Sequence, residues 1–202
     1  DFSAIVRADI ASNFDDNDGS LRPQLLKDFL GQTTVKNNLS TFIEAARLRK
    51  EPLDHLLLIG PPGLGKTTLA QITAHELGVD FKVTSAPALE KPKDLAGILS
   101  TITERTVFFI DEIHRFNKSQ QDSLLGAVER GIITLIGATT ENPSFEVINA
   151  LLSRCQIFVL EQLQDDYLKQ LVLNSISQDN VMRTKQFEIQ EWEALISFSN
   201  GD

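Results

Sequence analysis

Cysteine is all but absent. Cys155 is the one thiol in 202 residues, so no internal disulfide can form, and a reducing cytoplasm is the expected setting. Long apolar runs are missing too: none outlasts a stretch such as Leu56 to Ile59, far short of the roughly 20 residues a spanning helix needs. No membrane association is expected, and no basic start followed by an apolar stretch marks a secretory signal. Basic charge is in deficit, with 19 Lys and Arg against 28 Asp and Glu for a net −9. That balance excludes a surface coated for nucleic acid, so any DNA contact has to be local. His55, His75 and His114 are scattered, with no Cys or His at metal-ligand spacing, which argues against zinc. Neither an internal repeat nor a low-complexity tract is visible.

What is present suits a folded domain. Hydrophobic residues make up 42% of the chain, inside the ordinary range for soluble domains and well above that of a disordered one. The length exceeds one average domain slightly, which predicts one compact unit with a small appendage. The first residue is Asp1, so the chain reads as a fragment or a processed product. Asp1, Asp9, Asp15, Asp16 and Asp18 stand against Arg7 alone near the start. Turn formers and acids with little to bury predict a flexible acidic leader over 1–21.

From there on, strand and helix signals alternate. Val35, Leu39, Phe42, Ile43 and Ala46 fall on one helical face, and Pro52 stops the pattern. Leu56 to Ile59 reads as a strand buried on both faces, and Lys66 to Leu77 as a helix capped by Gly78. Further strands are expected at Phe81 to Thr84, Val107 to Ile110, Ile132 to Ile136 and Gln156 to Leu160, with amphipathic helices around Leu95–Ile102 and Leu124–Val128. Such alternation predicts an α/β fold, a parallel sheet with helices on both faces. After Leu160 only helical patterns remain, around Leu168–Val172 and Trp192–Ile196.

Gly60-Pro61-Pro62-Gly63-Leu64-Gly65-Lys66-Thr67 fits the G-x-x-x-x-G-K-[ST] phosphate loop and lies between a predicted strand and a predicted helix, the context the motif requires. Gly63 and Gly65 let the backbone turn its N–H groups toward phosphate oxygens at a helix N-terminus. Lys66 supplies a point charge, Thr67 a hydroxyl for Mg2+, and Thr68 follows in the same first turn as a further binding candidate. Val107-Phe108-Phe109-Ile110-Asp111-Glu112 is an apolar strand delivering two acids at its carboxyl end. Asp111 would hold Mg2+ and Glu112 would orient the attacking water. A third strand ends in Thr139 and Thr140, either of which could hydrogen-bond the γ-phosphate or that water. ATP or ADP with Mg2+ is therefore the expected cofactor set. Cys155 reads as a small buried hydrophobe, and the basic clusters Arg47-Leu48-Arg49-Lys50 and Lys91-Pro92-Lys93 as solvated faces.

Together these motifs resemble the AAA+ ATPases from about Leu21 to the end of the chain. The resemblance implies a P-loop NTPase sheet of five parallel strands in the order 5-1-4-3-2, an ATPase core over 22–161 and a truncated helical lid over 162–202. It implies an adenine wall from Arg22-Pro23 and Phe29-Leu30-Gly31-Gln32, a first sensor at Thr139 or Thr140, and an arginine finger at Arg154, offered to a neighbouring subunit of a homo-oligomer. Two AAA+ families are visible. Residues from Leu21 to about Ile102, with Phe42-Ile43-Glu44-Ala45-Ala46 and Val83-Thr84-Ser85-Ala86-Pro87, resemble the RuvB family of Holliday-junction branch-migration motors. From Asp111-Glu112-Ile113-His114-Arg115-Phe116-Asn117-Lys118 through Gly137-Ala138-Thr139-Thr140-Glu141-Asn142-Pro143, the chain resembles the RarA/MgsA recombination ATPases. The implied function is ATP hydrolysis coupled to remodelling of branched or gapped DNA. A clamp-loader-like switch that does not translocate, or a truncated fusion that only binds nucleotide, are the alternatives. RuvB proteins carry a hairpin insertion for RuvA between the acidic strand and first sensor; here Val128-Glu129-Arg130-Gly131-Ile132 joins them directly, which counts against engagement of RuvA. The second sensor has no place, since Ser199-Asn200-Gly201-Asp202 ends the chain before it.

Overall fold

All five segments that read as strands pair side by side and parallel: β1 (His55–Ile59), β2 (Phe81–Ser85), β3 (Thr106–Asp111), β4 (Ile133–Thr139) and β5 (Cys155–Val159). The computed structural model describes residues 22–89, 92–103, 105–179, 182–185 and 189–199. The expected leader over 1–21 lies outside them, as do residues 200–202. Strand order is β2-β3-β4-β1-β5, the expected 5-1-4-3-2 read from the other edge, and every pairing is parallel.

Eight α-helices accompany the sheet among the described residues: α1 (Thr33–Arg49), α2 (Lys66–Leu77), α3 (Pro92–Thr101), α4 (Lys118–Glu129), α5 (Pro143–Glu146), α6 (Asn149–Leu152), α7 (Asp165–Gln178) and α8 (Trp192–Ser199). Successive strand residues point to opposite faces, and the two cores follow that alternation. Leu56, Leu58, Val107, Phe109, Ile136, Ala138 and Phe158 pack under α1 and α2 with Leu39, Ile43, Leu69 and Ile72. Leu57, Phe108, Ile110 and Leu135 pack on the other side with Leu95 of α3, Leu124 and Val128 of α4 and Leu151 of α6.

Local details refine the sequence reading. α1 ends at Arg49 with Lys50 as its cap residue, whose φ of 57° is left-handed and whose N–H bonds back to the Ala46 and Arg47 carbonyls, so the helix stops ahead of Pro52 as expected. α4 opens with a capping box in which Asn117 and Gln120 bond each other's backbone N–H. β5, an edge strand, is covered on one face only: Phe158 is buried, whereas Ile157 and Val159 are 49% and 59% exposed.

Gly137 in β4 permits one close approach that shapes the site. A Cβ there would lie 3.0 Å from Leu57 Cδ1 and 3.1 Å from Ile113 Cδ1, so the missing side chain is what lets Ile113 seat against the sheet. Gly137→Ala is expected to destabilise the fold by about 1 to 3 kcal/mol through overpacking, read as a lower urea midpoint; an unchanged midpoint would mean that Ile113 moves aside without cost.

Candidate nucleotide site

The carboxyl ends of β1, β3 and β4 meet at one edge of the sheet, the place where open parallel sheets bind ligands. β1 leads into the loop 60–65, anchored where the Gly60 N–H donates to the Thr139 carbonyl at 3.1 Å. Left-handed backbone at Gly63 (φ 79°) and Gly65 (φ 75°) turns the loop into α2, with Gly65 as its N-cap residue. Leu64 drops into the core, while Pro61, Pro62 and Gly63 stay exposed. Lys66 is 8% exposed, and its Nζ donates to the carbonyls of Gly60 at 2.7 Å and Pro61 at 2.6 Å. Burial pulls the Lys66 ammonium below the usual lysine range, and the Asp111 carboxylate opposes that shift. Thr67 and Thr68 are half-buried in the first turn of α2.

Strand parity sorts the acids and hydroxyls. Val107 and Phe109 of β3 face α2, so Asp111 continues on that face, toward Lys66. Its Oδ1 accepts the Glu112 N–H at 3.0 Å. Glu112 takes a left-handed conformation (φ 52°), uncommon for a residue with a side chain, and its carboxylate meets Arg115 Nε at 3.1 Å. In β4, Ile136 and Ala138 face α2, so Thr139, the last strand residue, faces the other side, and Thr140 follows in the bend beyond the strand. Thr139 is buried, its hydroxyl 3.0 Å from His114 Nδ1 and accepting the Glu141 N–H at 3.0 Å. Thr140 is exposed.

A cavity of about 430 Å3 opens beside the loop. Arg22, Pro23, Phe29 and Leu30 line it from one side, and Gly63, Gly65 and Thr68 from another. Of the expected adenine wall, Gly31 and Gln32 are set apart: both border a neighbouring cleft along β5, with Gly31 against Leu163 and Tyr167. The cavity's remaining wall, Leu163, Leu171, Asn174, Ser175 and Gln178, had no signature in the sequence. Their only forewarning was the amphipathic pattern of the helix now seen as α7.

Arg154 stands elsewhere. It precedes Cys155, which pairs in register with His55 at the start of β1, whereas the phosphate loop follows the end of that strand. Five residues of strand, at about 3.3 Å each, separate the two ends by roughly 16 Å. The exposed guanidinium donates to the Ala150 carbonyl and pairs with Glu129, both at 2.7 Å. Its charge and burial both depress the nearby His55 imidazole, burial more strongly, with Asp54 opposing. Burial pushes the Cys155 thiol up to about 11, which keeps it protonated at neutral pH. Among the described residues no cluster of three or more His, Cys, Asp or Glu side chains forms a metal site, and no helix is long and apolar enough to cross a membrane.

Known proteins with similar sequences and structures agree with this geometry. The Holliday junction branch migration complex subunit RuvB of Treponema denticola is 70% identical over 115 residues, 57% of this chain and 34% of that protein. Its Treponema pallidum counterpart is 66% identical over 115 residues, 57% of this chain and 33% of that protein. The Thermotoga maritima RuvB Holliday junction branch migration motor superposes with a TM-score of 0.72 at 45% identity, covering 78% of this chain and 54% of that one. The chain thus spans about a third of the length of these sequence relatives and about half of the structural one. The family model for the Holliday junction DNA helicase RuvB P-loop domain matches residues 21–148, and on that match, over most of its length, the chain belongs to the RuvB P-loop domain family.

Proposed function

We propose that this chain binds ATP at the loop 60–67 and hydrolyses it, and that it does so within a homo-oligomer acting on branched or gapped DNA. The observation that carries the reading is the convergence at the carboxyl edge of the sheet: a buried Lys66 in the field of Asp111, with Glu112 adjacent and Thr140 just past the end of β4. In this reading Lys66 turns from the Gly60 and Pro61 carbonyls to the outer phosphates, and the adenine occupies the cavity between Pro23, Leu30 and α7. The hard oxygen donors of Thr67 and Asp111 suit Mg2+, which takes one or two protein ligands and completes its shell with phosphates and water. When bound, that ion neutralises charge building on the phosphates. Glu112 orients the water that attacks the γ-phosphorus as the bond to the ADP oxygen breaks, and Thr140 hydrogen-bonds the γ-phosphate or the water.

We further propose a division into a leader over 1–21, an ATPase core over 22–161 and a helical lid segment over 162–202, in a cytoplasmic protein. Residues from 111 onward carry the RarA/MgsA resemblance, supported by Gly137-Ala138-Thr139-Thr140-Glu141-Asn142-Pro143 and by the direct passage from α4 to β4 through 130–132. That short passage leaves no hairpin to hold RuvA. Branched DNA is the proposed substrate because the matched relatives bear Holliday junction names, and the net charge of −9 confines its contact to local basic groups.

Calorimetry and steady-state turnover on paired variants test the core claim. Lys66→Ala is expected to lose ATP binding, because the phosphates lose the loop's side-chain cation, whereas Glu112→Gln keeps binding and loses turnover by orders of magnitude. Parental hydrolysis by the Gln variant would move water activation elsewhere. Thr140→Val should lower turnover roughly a hundredfold with little change in affinity; an unaffected rate would remove Thr140 from the site.

In the proposed oligomer Arg154, which lies at the far end of β1 from its own loop, leaves Glu129 and serves a neighbour's ATP. Arg154→Ala is expected to bind ATP yet lose turnover by ~10^3 or more, the scale of an arginine finger. Mixed with Lys66→Ala subunits, which keep an intact finger, it should regain activity. Full activity of Arg154→Ala alone would leave the residue with its Glu129 pair and no more.

A further inference from the structure

The turn that carries Glu112 is held in a conformation its backbone does not favour. A left-handed φ of 52° at a non-glycine residue costs free energy and persists only where the surroundings over-determine it. Three contacts hold it from within or below: the Glu112 N–H on Asp111 Oδ1, the Arg115 N–H on the Glu112 carbonyl at 2.8 Å, and Ile113, 1% exposed, seated against Gly137. None of the three reaches the end of β4, where Thr140 stands. His114 makes that connection. Its Nδ1 lies 3.0 Å from the Thr139 hydroxyl, which is buried, accepts the Glu141 N–H and therefore has its own position set by the backbone beyond β4.

From this we infer that His114 is a positioning residue: its hydrogen bond with Thr139 locks the Glu112 turn to the end of β4 and so sets the water-orienting carboxylate against the Thr140 hydroxyl. The inference rests on the ATPase reading above and deepens it. It also separates the two adjacent threonines: Thr139 faces away from α2 and serves the turn, which leaves Thr140 for the role proposed above. Loss of the bond frees the turn to relax and misplaces Glu112 by a fraction of an ångström or more. Misplacement on that scale lowers the rate of the chemical step and spares ATP binding, which is carried by the loop 60–67 on another strand.

The test is a double-mutant cycle on the full chain, assayed where the parent turns over, with ATP affinity by calorimetry and thermal midpoint measured beside kcat. His114→Ala and Thr139→Val are each expected to lower kcat roughly ten- to a hundredfold with affinity within about twofold. Their combination should be no worse than Thr139→Val alone, because that variant has already removed the bond that His114→Ala would break. Thr139→Ser, which restores the hydroxyl, should recover most of the rate lost in Thr139→Val. A general loosening of the fold would instead lower the thermal midpoint and affinity together. Parental kcat in His114→Ala while Glu112→Gln is inactive overturns the inference, as do losses that multiply in the double variant. Parental turnover in Glu112→Gln overturns the ATPase mechanism itself and this inference with it.

Discussion

Burying an ammonium costs several kcal/mol unless partners replace its water, and Lys66 meets that cost with two carbonyls of its own loop and the field of Asp111. Those carbonyls belong to Gly60 and Pro61, so the loop has to curl back over the first turn of α2 to present them. The curl in turn depends on left-handed backbone at Gly63 and Gly65 and on the Gly60 N–H anchoring to Thr139. β1 must therefore lie beside β4, and Asp111 must end a strand on the same edge. The sheet order and the loop are one constraint seen at two scales.

Parity along the strands distributes the chemistry. A strand residue faces one side only, and a shift by one residue reverses the side. Asp111 shares the face of α2, while Thr139 shares the opposite face with the turn at 113–115. Glu112, which simple alternation would send away from α2, leaves the strand geometry altogether through its left-handed φ. The turn after β3 is thus the least regular part of the site and also the most heavily pinned.

Arg154 belongs to the other end of the molecule. Parallel strands gather the phosphate loop and the acids at their carboxyl ends, and the link into β5 returns the chain to the amino ends, where Arg154 pairs with Glu129. An arginine so placed cannot serve its own loop. For the proposed shared site, this polarity calls for a head-to-tail assembly.

Much of this was legible in the sequence, and for local reasons. The period of apolar residues placed α1, α2 and all five strands within a residue or three of their bounds, because burial on one face is written every second or every third to fourth position. The phosphate loop and the Asp111-Glu112 pair were equally plain, since glycine, lysine and adjacent acids at a strand end have few other uses in that context. The strand order came from the family resemblance and not from any residue, because hydrogen bonding between strands leaves no mark on either one alone. The His114 partner of Thr139, the Glu129 partner of Arg154, the α7 side of the cavity and the separation of Gly31 and Gln32 from it were likewise not readable. Each depends on groups far apart in the chain: His114 and Thr139 are 25 residues apart, as are Glu129 and Arg154. By itself the sequence determined which segments are strands and helices and where a phosphate-loop pattern falls between them, because turn chemistry and periodicity act between near neighbours. Only the tertiary structure decided which hydroxyl meets His114 and which end of the sheet holds Arg154, because parity and polarity acquire meaning only when strands lie side by side.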